Sequence, residues 1–113
     1  MAGAALVALA GPLPAADGTP RFGLIGRIKA QQGKRADLIA ALLAGTGAMP
    51  GCISYIVAED ASDADAMWVT EVWDSEASHK ASLKLPQVRA AIAKGRPLIA
   101  SFETIATTRP LTP

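Results

Sequence analysis

Ala66-Met67-Trp68-Val69-Thr70-Glu71-Val72-Trp73-Asp74-Ser75-Glu76-Ala77-Ser78-His79-Lys80-Ala81-Ser82-Leu83 is the stretch whose reading decides the fold. Its first eight residues put Met67, Val69, Glu71 and Trp73 on one side and Ala66, Trp68, Thr70 and Val72 on the other, the period-two pattern of a strand. Asp74 and Ser75 then break the strand and offer an N-cap oxygen to a helix. Glu76 in its first turn suits the positive end of the helix dipole. Both tryptophans, the strand glutamate and the sole histidine fall inside this unit, in a chain with only 4% aromatic residues. That concentration marks it as the place to look for a site.

Composition narrows the rest. A chain of 113 residues is one domain, large enough for a core and too small for two. Half of it is apolar, yet no apolar run reaches the ~18 residues of a membrane span. Eleven basic against ten acidic side chains leave a net charge of +1 with no basic block, so nucleic-acid binding has no electrostatic support. The single Cys52 cannot close an intrachain disulfide or build a zinc cluster, and one histidine falls short of the usual zinc or non-haem iron ligand sets. Gly23 and Gly26 are wrongly spaced for a dinucleotide fingerprint, and no Walker loop is present.

Residues 1–20 differ from the remainder: an apolar run, Ala4 to Ala10, then Gly11, Pro12, Pro14 and Gly18, with no basic residue before Arg21. Two readings stay open, an N-terminal arm on a cytoplasmic protein or the remnant of an export signal with a periplasmic destination. Either way the domain spans 21–109. Arg21 to Ala30 is the first predicted strand, with Phe22, Leu24, Gly26 and Ile28 on one face and Gly23, Ile25, Arg27 and Lys29 on the other. Lys34 to about Thr46 is a helix with Leu38, Ile39, Leu42, Leu43 and Thr46 inward and Lys34, Arg35 and Asp37 toward water. Pro50-Gly51 turns the chain into a second strand, Cys52 to Glu59. Asp60 to Asp65 reads as a solvated hairpin connection, since the glycine and closing glutamate of a calcium loop are missing. Pro86 splits the second helix after Leu85, and the second piece, Gln87 to about Lys94, turns Val88, Ala91 and Ile92 inward. The last strand runs about Ser101 to Thr107, and residues 110–113 form a tail expected to extend away from the sheet.

The order β-α-β-β-α-β with right-handed crossovers predicts an α+β, ferredoxin-like fold, a four-stranded antiparallel sheet with its helices on one face. The bare face holds Ile25, Ile53 or Trp68, depending on register, and a chain of this size has nothing left to cover it. A homodimer packing two such sheets into a barrel-like core is the expected solution.

Phe22-Gly23-Leu24-Ile25, Met49-Pro50-Gly51-Cys52, Trp68-Val69-Thr70-Glu71-Val72-Trp73 and Ser75-Glu76-Ala77-Ser78-His79 together resemble the antibiotic biosynthesis monooxygenase family of dimeric α+β barrels, over roughly residues 21–109. The resemblance implies the ferredoxin-like fold, the dimer and, for some members, oxygenation of electron-rich phenols or quinols by O2 without metal, flavin or other cofactor. Other members have no established activity, so a non-catalytic small-molecule-binding or stress-associated module of the same fold is the alternative. Many relatives carry a second histidine three residues after the first, where this chain has Ser82. The haem-degrading branch uses an asparagine, a tryptophan and an axial histidine at positions matching Gly26, Ser82 and Ile92 here, so haem binding is not expected.

Oxygenation of that kind requires a substrate anion able to pass an electron to oxygen, an apolar pocket, a proton acceptor and a donor to the developing charge. His79, the only side chain titrating near neutrality, is the candidate catalytic group, and at the start of a helix its cation would be disfavoured. Its plainer reading is a surface or cap histidine. Trp68 and Trp73 are candidate substrate contacts; five apart on a strand they face opposite sides, one toward a pocket and the other toward the dimer interface. Tyr55 is a candidate donor or an interface residue. Glu71 is a candidate site residue, although a mid-strand glutamate is either solvated at the barrel edge or paired with a base such as Arg27, and pairing is the preferred reading over catalysis. Cys52 reads as a small buried filler, and Arg89 and Arg96 as helix-surface cations that could attract an anionic substrate.

Overall fold

Alternation along residues 66–73 produces the strand it predicts, and that strand sits at the centre of the sheet. The computed structural model describes residues 18–113, so most of the expected arm, residues 1–17, lies outside the described residues. The elements are β1 (Phe22–Ala30), α1 (Arg35–Gly45), β2 (Cys52–Glu59), β3 (Ala66–Trp73), α2 (Glu76–Ser82), α3 (Pro86–Gly95), a 3₁₀ turn (Arg96–Leu98) and β4 (Ile99–Thr108). The strands form one antiparallel sheet in the order β2-β3-β1-β4, the ferredoxin-like arrangement. Among the described residues no helix is long and apolar enough to cross a membrane.

Register assigns each row of side chains to a face. On one face, Tyr55, Glu71, Leu24 and Thr107 lie across the four strands, followed by Val57, Val69, Gly26 and Thr104. The helices cover this face. Ile28, Ala30, Leu38, Met67 and Val69 form one buried cluster there, and Met49, Trp73 and Val88 form another. The opposite face carries the row Ile56, Thr70, Ile25 and Ala106, and next to it Ala58, Trp68, Arg27 and Glu103.

Several details add to or differ from the sequence reading. In α1 the buried stripe is Leu38, Ala41 and Gly45, whereas Leu43 is 54% exposed. Small residues let α1 and α3 approach closely: a methyl on Gly45 would come within 2.5 Å of the Gln87 carbonyl oxygen and 2.6 Å of the Ala91 Cβ. The helix is therefore rotated toward its alanine and glycine side. Arg35, expected in water, instead donates through Nη1 to the carbonyls of Asp60, Asp63 and Ala66 and pairs through Nη2 with Glu59 at 3.1 Å. The connection 60–65 is a solvated turn, with Ala61, Ser62 and Ala64 exposed, and its own carboxylates order it. Asp60 Oδ1 accepts from the Ser62 and Asp63 amides, and Asp63 Oδ2 pairs with Arg27 and Lys29. The tail also begins by folding back: Pro110 and Thr108 occupy the space beside Gly23 that a side chain there would need.

Candidate functional site

Under the helices the sheet leaves a cavity of about 390 Å³, within the range of small-molecule sites. Leu24, Gly26, Tyr55, Val69, Glu71 and Trp73 form its floor, with Phe102 and Thr104 from β4. Leu42, Met49, His79, Ser82, Val88 and Ile92 form its roof and walls. Hydrocarbon dominates this lining. Glu71, His79 and Tyr55 are its titratable members.

Local turns place the polar groups. Pro50 and Gly51 occupy the centre of a turn closed by the Cys52 amide donating to the Met49 carbonyl, and Gly51 takes φ +82°, the left-handed position that a type II turn assigns to glycine. The Asp74 amide donates back to the Gly51 carbonyl at 2.9 Å, fixing the end of β3 against that turn. Ser75, extended as an N-cap should be, accepts the Ser78 amide on its Oγ at 3.1 Å. His79 follows one turn later and so projects back over β3. It is the fourth residue of a seven-residue helix, so the first-turn dipole position expected for it is not realised.

The imidazole is packed between two rings, tilted against Phe22 at 5.2 Å and edge-on to Trp73 at 5.5 Å between centroids. Its Nε2 lies 3.9 Å from Glu71 Oε1, too long for a neutral hydrogen bond and right for attraction once the ring is protonated. Trp73, 1% exposed, donates its indole N–H to the same Glu71 oxygen at 2.9 Å. Glu71 Oε2 is bonded to nothing among the described residues. Tyr55 is Glu71's direct neighbour across the β2–β3 pair. Burial, then the charge of Glu71 and then Cys52 push the Tyr55 hydroxyl far above the ordinary phenol range. It therefore remains a proton donor at any physiological pH.

The structure brings His79, Trp73, Tyr55 and Glu71 together at one cavity and leaves Trp68 out. Trp68 points from the other sheet face and donates to Asp60 Oδ2 at 2.8 Å. The expected Glu71–Arg27 pair does not form, because odd-numbered β1 residues face away from the helices, and Arg27 is held at 3.2 Å by Asp63. Arg89 and Arg96 are exposed and do not line the cavity. Cys52 packs beside Trp73 outside the lining, its thiol pushed up by burial and by Glu71. Gly26, Ser82 and Ile92 do line the cavity, but none supplies an iron ligand. The Ser82 hydroxyl already donates to the His79 carbonyl at 2.6 Å. Sequence reasoning gave no role to Phe22, Met49 or Thr104. The inward parity of β1 could have found Phe22, since it shares a face with Leu24.

Comparison with known proteins bears on the family and the fold. The sequence pattern of the antibiotic biosynthesis monooxygenases matches residues 21–94. Comparison with curated proteins finds no match. Among solved structures, a candidate antibiotic biosynthesis monooxygenase from Chloroflexus aurantiacus J-10-fl is similar at 55% identity and a TM-score of 0.79, over 82% of this chain and 95% of its own. Another from Deinococcus radiodurans shares 27% identity at a TM-score of 0.67, over 79% and 91%. A third, from Caulobacter crescentus CB15, shares the fold at 20% identity and a TM-score of 0.73, over 81% and 91%. With the family pattern spanning the sheet face, the cap and the histidine that build the cavity, the chain belongs to the antibiotic biosynthesis monooxygenase family.

Proposed function

We propose that the chain is a cofactor-independent monooxygenase that oxidises a phenolic or quinol-type aromatic with O2 in the cavity beneath its helices. The observation that carries this reading is the meeting of His79, Glu71 and a protonated Tyr55 on the wall of an otherwise apolar cavity. His79 takes the proton from the activated position of the ring system, and Glu71 stabilises the imidazolium that results. The substrate anion passes one electron to O2, and the radical pair combines in a new C–O bond. Tyr55 donates a hydrogen bond to the oxygen on which charge collects. Protonation of the peroxide and loss of water leave a carbonyl. A CH2 plus O2 thus becomes C=O plus H2O, with every electron drawn from the substrate.

Oxygen uptake by the purified protein on a panel of anthrones and reduced quinols tests this, with one O2 expected per carbonyl formed. Binding of the panel without uptake would replace the reading with the non-catalytic binding module, and failure of every compound to bind would overturn both.

The homodimer belongs to the same proposal. Ile56 is 55% exposed in a row with Thr70, Ile25 and Ala106 on the face that no helix covers. A second copy laid on that row would bury it. Light scattering is expected to return twice the protomer mass, and Ile56→Asp to halve it.

A further inference from the structure

The cavity's charges are one-sided. Glu71 is the one acidic side chain in its lining, and among the described residues no lysine or arginine lines it. The Glu71 side chain is only 17% exposed, so water screens its charge poorly. Its Oε1 is committed to the Trp73 indole, whereas Oε2 is bonded to no described residue and can accept from a ligand. The neighbouring Tyr55 hydroxyl likewise has no hydrogen-bond partner among the described residues. The floor therefore offers an acceptor beside a donor, and no fixed cation for an anion to pair with: the one basic group in the lining, His79, already faces Glu71 at 3.9 Å.

We propose that this cavity selects aromatic ligands that are uncharged at neutral pH and carry a hydroxyl donor for Glu71, that it turns away their carboxylated counterparts, and that Glu71 is the residue that sets the discrimination. The inference rests on the reading of the cavity as a small-molecule site and is independent of the oxygenation step. A ligand carboxylate here would leave water for an apolar cavity that offers it the Tyr55 hydroxyl but no fixed positive charge. It would also meet the like charge of Glu71 in the same lining, and repulsion over a few ångströms is worth on the order of a hundredfold in affinity at the effective dielectric of a partly buried site.

Calorimetric titration of 1-naphthol and 1-naphthoate at pH 7 tests the proposal with two bicyclic probes of similar size and opposite charge status. The wild-type protein is expected to bind 1-naphthol at least about a hundredfold more tightly than 1-naphthoate. Glu71→Gln, which keeps the size and the acceptor oxygen while removing the charge, is expected to narrow that ratio to within about tenfold. Equal wild-type affinities, a ratio unchanged in Glu71→Gln, or no binding of either probe would each overturn it. The wild-type ratio alone decides the matter if the variant does not fold. Discrimination without oxygen uptake would uphold this inference and sink the monooxygenase reading, and oxygen uptake with no discrimination would do the reverse.

Discussion

The two tryptophans of β3 lie on one strand, and the faces they serve have opposite characters. On the helix side Trp73 is buried, and its single polar atom is spent on Glu71 inside an apolar cavity. On the bare side Trp68 is half-buried, its indole N–H ties down Asp60, and around it Arg27, Lys29 and Asp63 form an ionic network. One face thus gathers polar groups that a ligand can still use, and the other pairs its polar groups with one another. An unpaired carboxylate oxygen beside a cavity is costly to keep for packing alone, so the helix side is where a function is expected.

The largest test of this contrast is stability. Trp73→Ala is expected to cost about 3–5 kcal/mol in urea unfolding, since it opens a core cavity and strands Glu71. Trp68→Ala should cost no more than half as much, and equal costs would break the comparison. Gly45→Ala probes how closely the helices are seated over the cavity. The added methyl has no room beside Gln87 and Ala91, and a loss of about 1–3 kcal/mol is expected; a stabilised variant would show that the helix contact is looser than described. Gly26→Leu sharpens the contrast without touching the core. A Cβ there meets the Glu103 carbonyl and the Phe102 ring at ordinary distances of 3.5 and 3.7 Å, and the remaining side chain enters the cavity. Aromatic ligand affinity should fall by at least about tenfold, or ~1.4 kcal/mol, with the melting temperature little changed.

The smallest effect separates the faces by pH. Hydrogen bonds from the Trp68 indole and then the Ser62 and Asp63 amides lower Asp60 to about 2 from its ordinary 3.8. A carboxylate depressed on folding stabilises the protein above its unfolded value and loses that contribution as pH falls from 3.8 toward 2. Tyr55 behaves oppositely. Its raised phenol contributes below the ordinary value of 10 and is lost as pH climbs above it. Carboxyl NMR titration is expected to place Asp60 near 2, and Trp68→Phe to move it up toward 3.8. An Asp60 that titrates normally in the wild type would remove the network from the account.

How much of this the sequence carried follows from which contacts are local. The alternation of 66–73 set Glu71 on the face of Trp73, and Pro86 divided the second helix, because parity and proline act within a few residues. The β2 and β3 boundaries and the Ser75 cap were readable for the same reason. The partner of Glu71 was not, because Arg27 lies on a different strand and parity across strands depends on register. Arg35 was misplaced because its acceptors are backbone carbonyls 25 to 31 residues away, invisible in any local pattern. Leu43 was misplaced because hydrophobicity ranks it above Ala41 and Gly45, although close helix contact favours small residues. The cavity's wall was legible one residue at a time, whereas its closure needed the tertiary fold.

Oxygen consumption by His79→Ala set beside that of Trp68→Phe, on whichever anthrone or reduced quinol the wild type turns over, tests the central claim most directly. Loss of the imidazole under the helices is predicted to slow uptake by on the order of a hundredfold or more, while the change on the opposite sheet face leaves the rate within about twofold. Uptake that survives the loss of His79, or falls equally in both variants, would contradict the assignment of the chemistry to that cavity.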